Sequence, residues 1–241
     1  MKIAAIDVET TGLDSKKCAI TQIAIIPIVN GVKGEPFVSY VRPHEGASIS
    51  ERALEVQGKT YDQIMAYPEA TEVMQKLLKW LDEQGGTFYI LAQNAQFDRD
   101  FLYIFFTRLG NHTEYITRFR PSLICTLEMA RNYFAGKRNK PEKMNLGSLC
   151  KFFNIKLENA HDALEDITAT VELYYALDAL IQKPIVQPKE ELTYHEKRLK
   201  YLGAGYCMIN EDGSVYLNPS VTKDKDALEF VLGELYEIFK L

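Results

Sequence analysis

Lys2-Ile3-Ala4-Ala5-Ile6-Asp7-Val8-Glu9-Thr10-Thr11-Gly12-Leu13 opens the chain, and the reading of this stretch decides the fold. Its apolar run predicts a buried strand over Lys2 to Val8. The run ends in two acids placed two residues apart. In a strand such residues share a face, here with Ile3 and Ala5. Asp7 and Glu9 therefore leave the core together at the strand's C-terminal end. Alone, the pair also fits a solvated strand end followed by a polar turn. The tight turn through Gly12 adds a place where a nucleotide's sugar and phosphate could approach backbone closely.

Ala19 to Val29, rich in Ile and closed by Asn30-Gly31, predicts a second strand, and Phe37 to Val41 a third. This opening has the pattern of an antiparallel meander. Glu69 to Glu83 has helical periodicity through Val73, Leu77, Leu78 and Leu81, stopped by Gly85-Gly86. Thr87 to Ala92 predicts a strand. Asn94 is placed to cap a helix running to Leu109. One more strand is expected over Ser122 to Thr126, then helices near 127–134, 146–153 and 163–181. Strands first, then alternation with helices, predict an α/β fold: a mixed β-sheet flanked by helices. Pro184 and Pro188 mark a linker over 182–189. Beyond it a hairpin is expected over 206–217 and an amphipathic helix over 224–239.

With 46% apolar and 25% charged residues in 241, the composition is that of a soluble globular chain with a full core. The formal charge of −5 excludes a protein that coats nucleic acid nonspecifically. The four cysteines form no CxxC pair, so neither a zinc site nor a redox motif is expected. A reducing cytoplasm fits that usage. Asp7 and Glu9 interrupt any signal-peptide core, and no apolar stretch is long enough to span a membrane.

Two further segments carry acids in telling places. Asp98 falls in the first turn of the helix that follows Asn94. An acid there suits the helix dipole whatever its function. A strand-to-helix turn is also a usual place for functional groups in α/β folds. Later, Asp162 and Glu165 match a capping box. Asp166 lies in line with Ala169, Leu173, Leu177 and Leu180. A charge on an apolar stripe needs a compensating partner, such as a metal ion or a buried Arg. Four converging carboxylates repel one another unless cations sit between them, and hard divalent ions take oxygen ligands of this kind. His161 stands just before the cap, where it could accept a proton from water near neutral pH.

IDVETTGL with ITQIA downstream, AQNAQFDRDFL, and AHDALEDITATVEL together resemble the three motifs of the DEDDh 3′–5′ exonucleases. Asn145 to Cys150 resembles the helix ahead of that family's third motif. The likeness spans the first 180 or so residues and includes the proofreading subunits of DNA polymerases. It implies a ribonuclease H-like exonuclease domain over 1–183, with 184–241 as a small extension of unassigned role. It implies two Mg²⁺ or Mn²⁺ ions held by Asp7, Glu9, Asp98 and Asp166, with His161 as general base. Thr10, Thr11, Gly12, Leu13, Asn94 and Phe97 would contact the 3′-terminal nucleotide, Leu13 as a wedge beside the last base. Many members have His where Gln57 and Gln93 stand, and neither position is a metal ligand.

The expected activity is metal-dependent removal of nucleoside 5′-monophosphates from single-stranded or frayed DNA 3′ ends, in proofreading or repair. Two alternatives stay open: an exoribonuclease acting on RNA ends, and a polymerase-associated binding subunit with secondary activity. The expected partners are single-stranded DNA or DNA 3′ ends, RNA in the second reading, and a polymerase or other protein, with no membrane. The basic stretch Lys137, Arg138, Lys140 and Lys143 either touches a nucleic-acid backbone or is a solvated loop.

Overall fold

The computed structural model describes residues 1–157, 161–182, 207–209, 215–217, 228 and 232. Two compact units divide the chain, Met1–Gln182 and Lys183–Leu241. In the first, β1 (Lys2–Thr10) pairs antiparallel with β2 (Ile20–Val29) along its whole length. β3 (Val32–Lys33) and β4 (Phe37–Tyr40) both pair with β2, at opposite ends of it. The expected antiparallel meander is therefore β1-β2-β4, and the two-residue β3 is an added piece on the same edge of β2. On the other side β1 pairs in parallel with β5 (Phe88–Ala92), and β5 with β6 (Phe119–Cys125). The path across the sheet is β3-β2-β1-β5-β6.

β1 and β5 are interior strands, so their apolar runs are buried on both faces rather than alternating. One face carries Ala4, Ile6, Val8, Ile23, Ile25 and Ile90. It packs against α3 (Ala70–Gln84) through Val73, Leu77 and Leu81, and against α4 (Ala95–Arg108) through Phe101, Leu102 and Phe106. The opposite face carries Ile3, Ala5, Ala24, Ile26 and Ile28. It is covered by α8 (Ala163–Gln182) through Ala163, Ile167 and Val171. Each fully buried Ile or Leu contributes about 1.5–3 kcal/mol.

Short helices fill the connections: α1 (Glu51–Gln57), α2 (Tyr61–Met65) and α5 (His112–Arg118). None of these three is expected from periodicity, since one or two turns show too little of a 3.6-residue pattern. β6 starts at Phe119, earlier than Ser122, and the exposed Pro121 sits on this edge strand where no ladder hydrogen bond is lost. α6 (Thr126–Phe134) and α7 (Leu146–Phe153) pack with Leu173 and Leu177 of α8 in a third apolar cluster. Asn145 caps α7 by accepting from the Ser148 amide at 3.0 Å.

In the second unit, β7 (Cys207–Ile209) pairs antiparallel with β8 (Val215–Leu217). Residues 228 and 232 are helical. The rest of the expected linker after Gln182, the hairpin turn and the rest of the C-terminal helix lie outside the described residues. No helix among the described residues is long and apolar enough to cross a membrane.

Candidate active site

Asp7 and Glu9 sit at the C-terminal end of β1, paired with Ala24 and Gln22. Their side chains share the α8 face of the sheet with Ile3 and Ala5. The neighbouring parallel strand β5 ends beside them and feeds α4, whose first turn carries Asp98. Asp98 is 5% exposed, and its Oδ1 accepts from the Val8 amide at 3.2 Å. α8 begins at the same end of the sheet. Asp162 caps it, Oδ1 accepting from the amides of Leu164 and Glu165 at 3.1 and 3.3 Å. One turn on, Asp166 Oδ2 accepts from the His161 amide at 3.3 Å, while its Oδ1 is buried without a hydrogen-bond partner among the described residues.

Ligand atoms of Glu9, His161 and Asp166 all lie within 4.8 Å of one another. Asp7 faces Asp98, Asp166 and Glu9 closely enough that, after burial itself, their charges push its carboxyl well above the usual range. Burial and then Asp166, Asp162 and Asp98 push Glu9 up to about 8, with Lys59 acting in the opposite direction. Burial pushes Asp98 up to about 7 against the Val8 hydrogen bond. Asp166 is raised by burial as well, opposed by the amide and ring of His161. Four carboxylates from three segments thus meet, and among the described residues none of them forms an ion pair. His161 is exposed and has φ 74°, the left-handed region that His tolerates better than most residues.

This donor set fits hard divalent cations. Carboxylate oxygens predominate, charge is in excess, and one buried Asp166 oxygen lacks a hydrogen-bond partner among the described residues. An ion in the cluster would satisfy that oxygen and relieve the repulsion that, after burial, raises Asp7 and Glu9.

Next to the acids runs a groove of about 710 Å³. Thr10, Gly12 and Leu13 line one wall, and Ile49, Ala53 and Val56 the other. Leu13 projects into solvent, 88% exposed. Thr10 is buried and donates to the Gly12 carbonyl at 2.7 Å, which tightens the turn. The expectation for Thr11 is corrected. Its side chain is fully buried, donating to the Ser48 carbonyl at 2.6 Å and accepting from the Ala19 amide at 2.9 Å. Both capacities of the hydroxyl are used inside the protein, so Thr11 braces the turn.

Asn94 is exposed at the N-cap position of α4, but its side chain makes no capping hydrogen bond; its φ of −134° and ψ of 64° leave the first turn to its backbone carbonyl, which accepts from Phe97. Phe97 is half-buried and packs on Phe101, ring centroids 4.8 Å apart. Lys137, Arg138, Lys140 and Lys143 are exposed.

Gln57 and Gln93 serve as clamps. Gln57 donates to the Thr10 carbonyl at 2.7 Å and accepts from the Thr21 hydroxyl at 3.0 Å. Gln93 donates to the Met144 carbonyl at 3.0 Å and accepts from Thr126 at 2.6 Å. A third glutamine escapes the sequence reading as an individual residue. Gln22, 4% exposed in β2, donates to Asp162 at 3.1 Å and accepts from the Ala163 amide at 3.3 Å. The available signal was a polar residue inside the Ile-rich ITQIA strand.

A family model described as exonuclease matches residues 4–174. Among curated proteins, the PolC-type DNA polymerase III of Bacillus cereus is 30% identical over 199 residues, 83% of this chain and 12% of that protein. The PolC-type DNA polymerase III of Oceanobacillus iheyensis is 32% identical over 197 residues, 82% of this chain. The chain therefore spans only 12% of the length of these relatives. Among solved structures, the zinc-bound E. coli ExoI–ssDNA complex aligns with a TM-score of 0.64 and 21% identity, covering 86% of this chain and 45% of that one. The nuclease domain of 3′hExo, a DEDDh family member bound to rAMP, aligns with a TM-score of 0.59 and 18% identity, covering 76% and 92%. The likeness to these structures shows the fold, a ribonuclease H-like exonuclease sheet flanked by helices. With the exonuclease match covering most of its length, and with the three acidic motifs in order, this chain belongs to the DEDDh family of 3′–5′ exonucleases.

Proposed function

We propose that this protein is a metal-dependent 3′–5′ exonuclease that removes nucleoside 5′-monophosphates from single-stranded or frayed DNA. One observation carries the reading: Glu9, His161 and Asp166 offer ligand atoms within 4.8 Å of one another, beside the half-buried Asp7 and the buried Asp98. Asp7, Glu9, Asp98 and Asp166 would hold two Mg²⁺ or Mn²⁺ ions. When bound, such ions supply Lewis-acid activation of water and of the scissile phosphate. His161, exposed at the rim, accepts the proton of the attacking water. Thr10, Gly12 and Leu13 present one wall of the groove to the terminal nucleotide, with Leu13 set to wedge beside its base. Asn94 and Phe97 lie at the start of α4 on the Asp98 side and complete the nucleotide contacts. A paired end must fray before it can enter such a groove.

DNA is preferred to RNA because the curated relatives are DNA polymerases. The same relatives favour a polymerase partner and work in the cytoplasm, in proofreading or repair. Residues 1–183 form the catalytic domain in this reading, since all five proposed catalytic residues precede its end. The test is degradation of 5′-labelled single-stranded DNA and matched RNA with Mg²⁺ or Mn²⁺, and with EDTA. A metal-dependent ladder shortening from the 3′ end is expected, faster on DNA. Faster loss of RNA would replace the substrate assignment, and no cleavage of either would overturn the reading.

A further inference from the structure

The strand register places an aromatic side chain in line with the acids. Glu9 pairs with Gln22 across β1 and β2, and Gln22 pairs with Tyr40 across β2 and β4. Residues paired across neighbouring strands point to the same face of a sheet. Tyr40 therefore stands two strand spacings from Glu9, about 10 Å, on the face that carries the carboxylates. It is 37% exposed. Tyr67 stacks on it, ring centroids 4.6 Å apart and planes at 27°. Lys59 sits over the same ring, Nζ 5.4 Å from its centroid.

Lys59 is held there by its own backbone. Gly58 closes α1 in the left-handed conformation at φ 64°, and the Lys59 amide donates to the Leu54 carbonyl at 3.0 Å. This helix ending fixes where the side chain starts. Gln57, one turn-residue earlier, ties the same segment to Thr10. The Lys59 ammonium faces Glu9 closely enough for its charge to act on that carboxyl. Yet it forms no ion pair among the described residues, whereas Lys17, Lys33 and Lys76 each meet a carboxylate. A lysine whose only task was to neutralise the acids would pair with one of them. This one is left with an aromatic neighbour and free donors.

We propose that Lys59 and Tyr40 form a strand-binding site at the edge of the active site, Lys59 taking a phosphate of the substrate strand and the Tyr40 ring stacking on one of its bases. This inference rests on the nuclease reading above and extends it from the terminal nucleotide to its neighbours in the strand. Base–aromatic stacking with a nearby cation is the common means of holding single strands without reading sequence. Tyr67 backs the ring on one side, and the base takes the place of the Lys59 ammonium over the ring as that ammonium turns to the phosphate.

Lys59→Met and Tyr40→Leu test the site with two substrates. One is a single-stranded oligodeoxynucleotide. The other is the p-nitrophenyl ester of thymidine 5′-monophosphate, which has no neighbouring nucleotide. The expected result is a KM for the oligonucleotide raised about fivefold or more in each variant. Its kcat should stay within about twofold, with no change on the ester. Tyr40→Phe, which keeps the ring, should behave as wild type. Lys59→Met should also flatten the logarithmic salt dependence of strand affinity by about 0.7, the contribution of one single-strand phosphate contact. A parallel loss on both substrates would assign Lys59 to the metal centre, and an unchanged oligonucleotide KM would remove the site; either overturns the proposal. Strand affinity read by fluorescence anisotropy with Ca²⁺ separates this inference from the nuclease reading. If wild type hydrolyses nothing, the nuclease reading fails, and weakened strand binding in the two variants still decides for this site, unweakened binding against it.

Discussion

Gln22 and Asp162 lie 140 residues apart, and the Gln22 amide donates to the Asp162 carboxylate at 3.1 Å from inside the sheet. The same side chain accepts from the Ala163 amide. One buried glutamine thus pins the start of α8, and with it His161 and Asp166, to the strand that lies beside Glu9. Gln22→Leu is predicted to cost about 1–3 kcal/mol, because a buried amide and a carboxylate oxygen lose their partner. It should also lower kcat at least about tenfold by displacing Asp166 from Glu9. Thermal melting and steady-state kinetics on the same preparation check both.

Stability should depend on pH in the direction set by the raised acids. Glu9 moves from 4.5 to about 8 on folding, and Asp98 from 3.8 to about 7. Between the lower and upper values the metal-free folded chain holds protons that the unfolded chain has released. Stability therefore is fully present below the lower values and falls as pH rises through the upper ones. Melting temperature without metal should drop between about pH 5 and about pH 8, and Mg²⁺ should raise it far more at the upper pH. A metal-free melting temperature that climbs over this range would contradict the electrostatics of the cluster.

His161→Ala should reduce the rate by about 10²–10⁴-fold, the usual contribution of a general base, with little change in metal affinity. Glu165→Ala is the paired control. Glu165 is exposed, and the Asp162 cap reaches its backbone amide, which the substitution keeps. Its activity should stay near wild type.

Gly12 has a steric reason to be glycine. A Cβ there would lie 2.6 Å from the Cys18 sulfur. Gly12→Ala should destabilise by about 1–3 kcal/mol through overpacking. Adding Cys18→Ala should restore most of that loss. Urea unfolding midpoints of the single and double variants measure it.

Much of this was legible in residues 2–13. The apolar run set the interior strand, and the two-residue spacing of Asp7 and Glu9 set their common face. Asp166 stood out as a charge on an apolar stripe, and it proves to carry the orphaned buried oxygen. α3, α4 and α8 were long enough to show their period. Helices of five to seven residues were not. β3 was hidden because a strand of two residues shows no alternation. Gln22 was hidden for a different reason: its value lies in Asp162 and Ala163, which only folding brings near. Thr11 looked like a ligand contact because a polar turn residue gives no hint of its own burial.

The most direct test of the central claim, that these acids form one metal centre, is Mn²⁺ bound per chain, followed by electron paramagnetic resonance for wild type and Asp166→Asn. The account predicts about two ions on wild type and the loss of at least one in the variant. No binding to wild type, or equal binding to both, would contradict it.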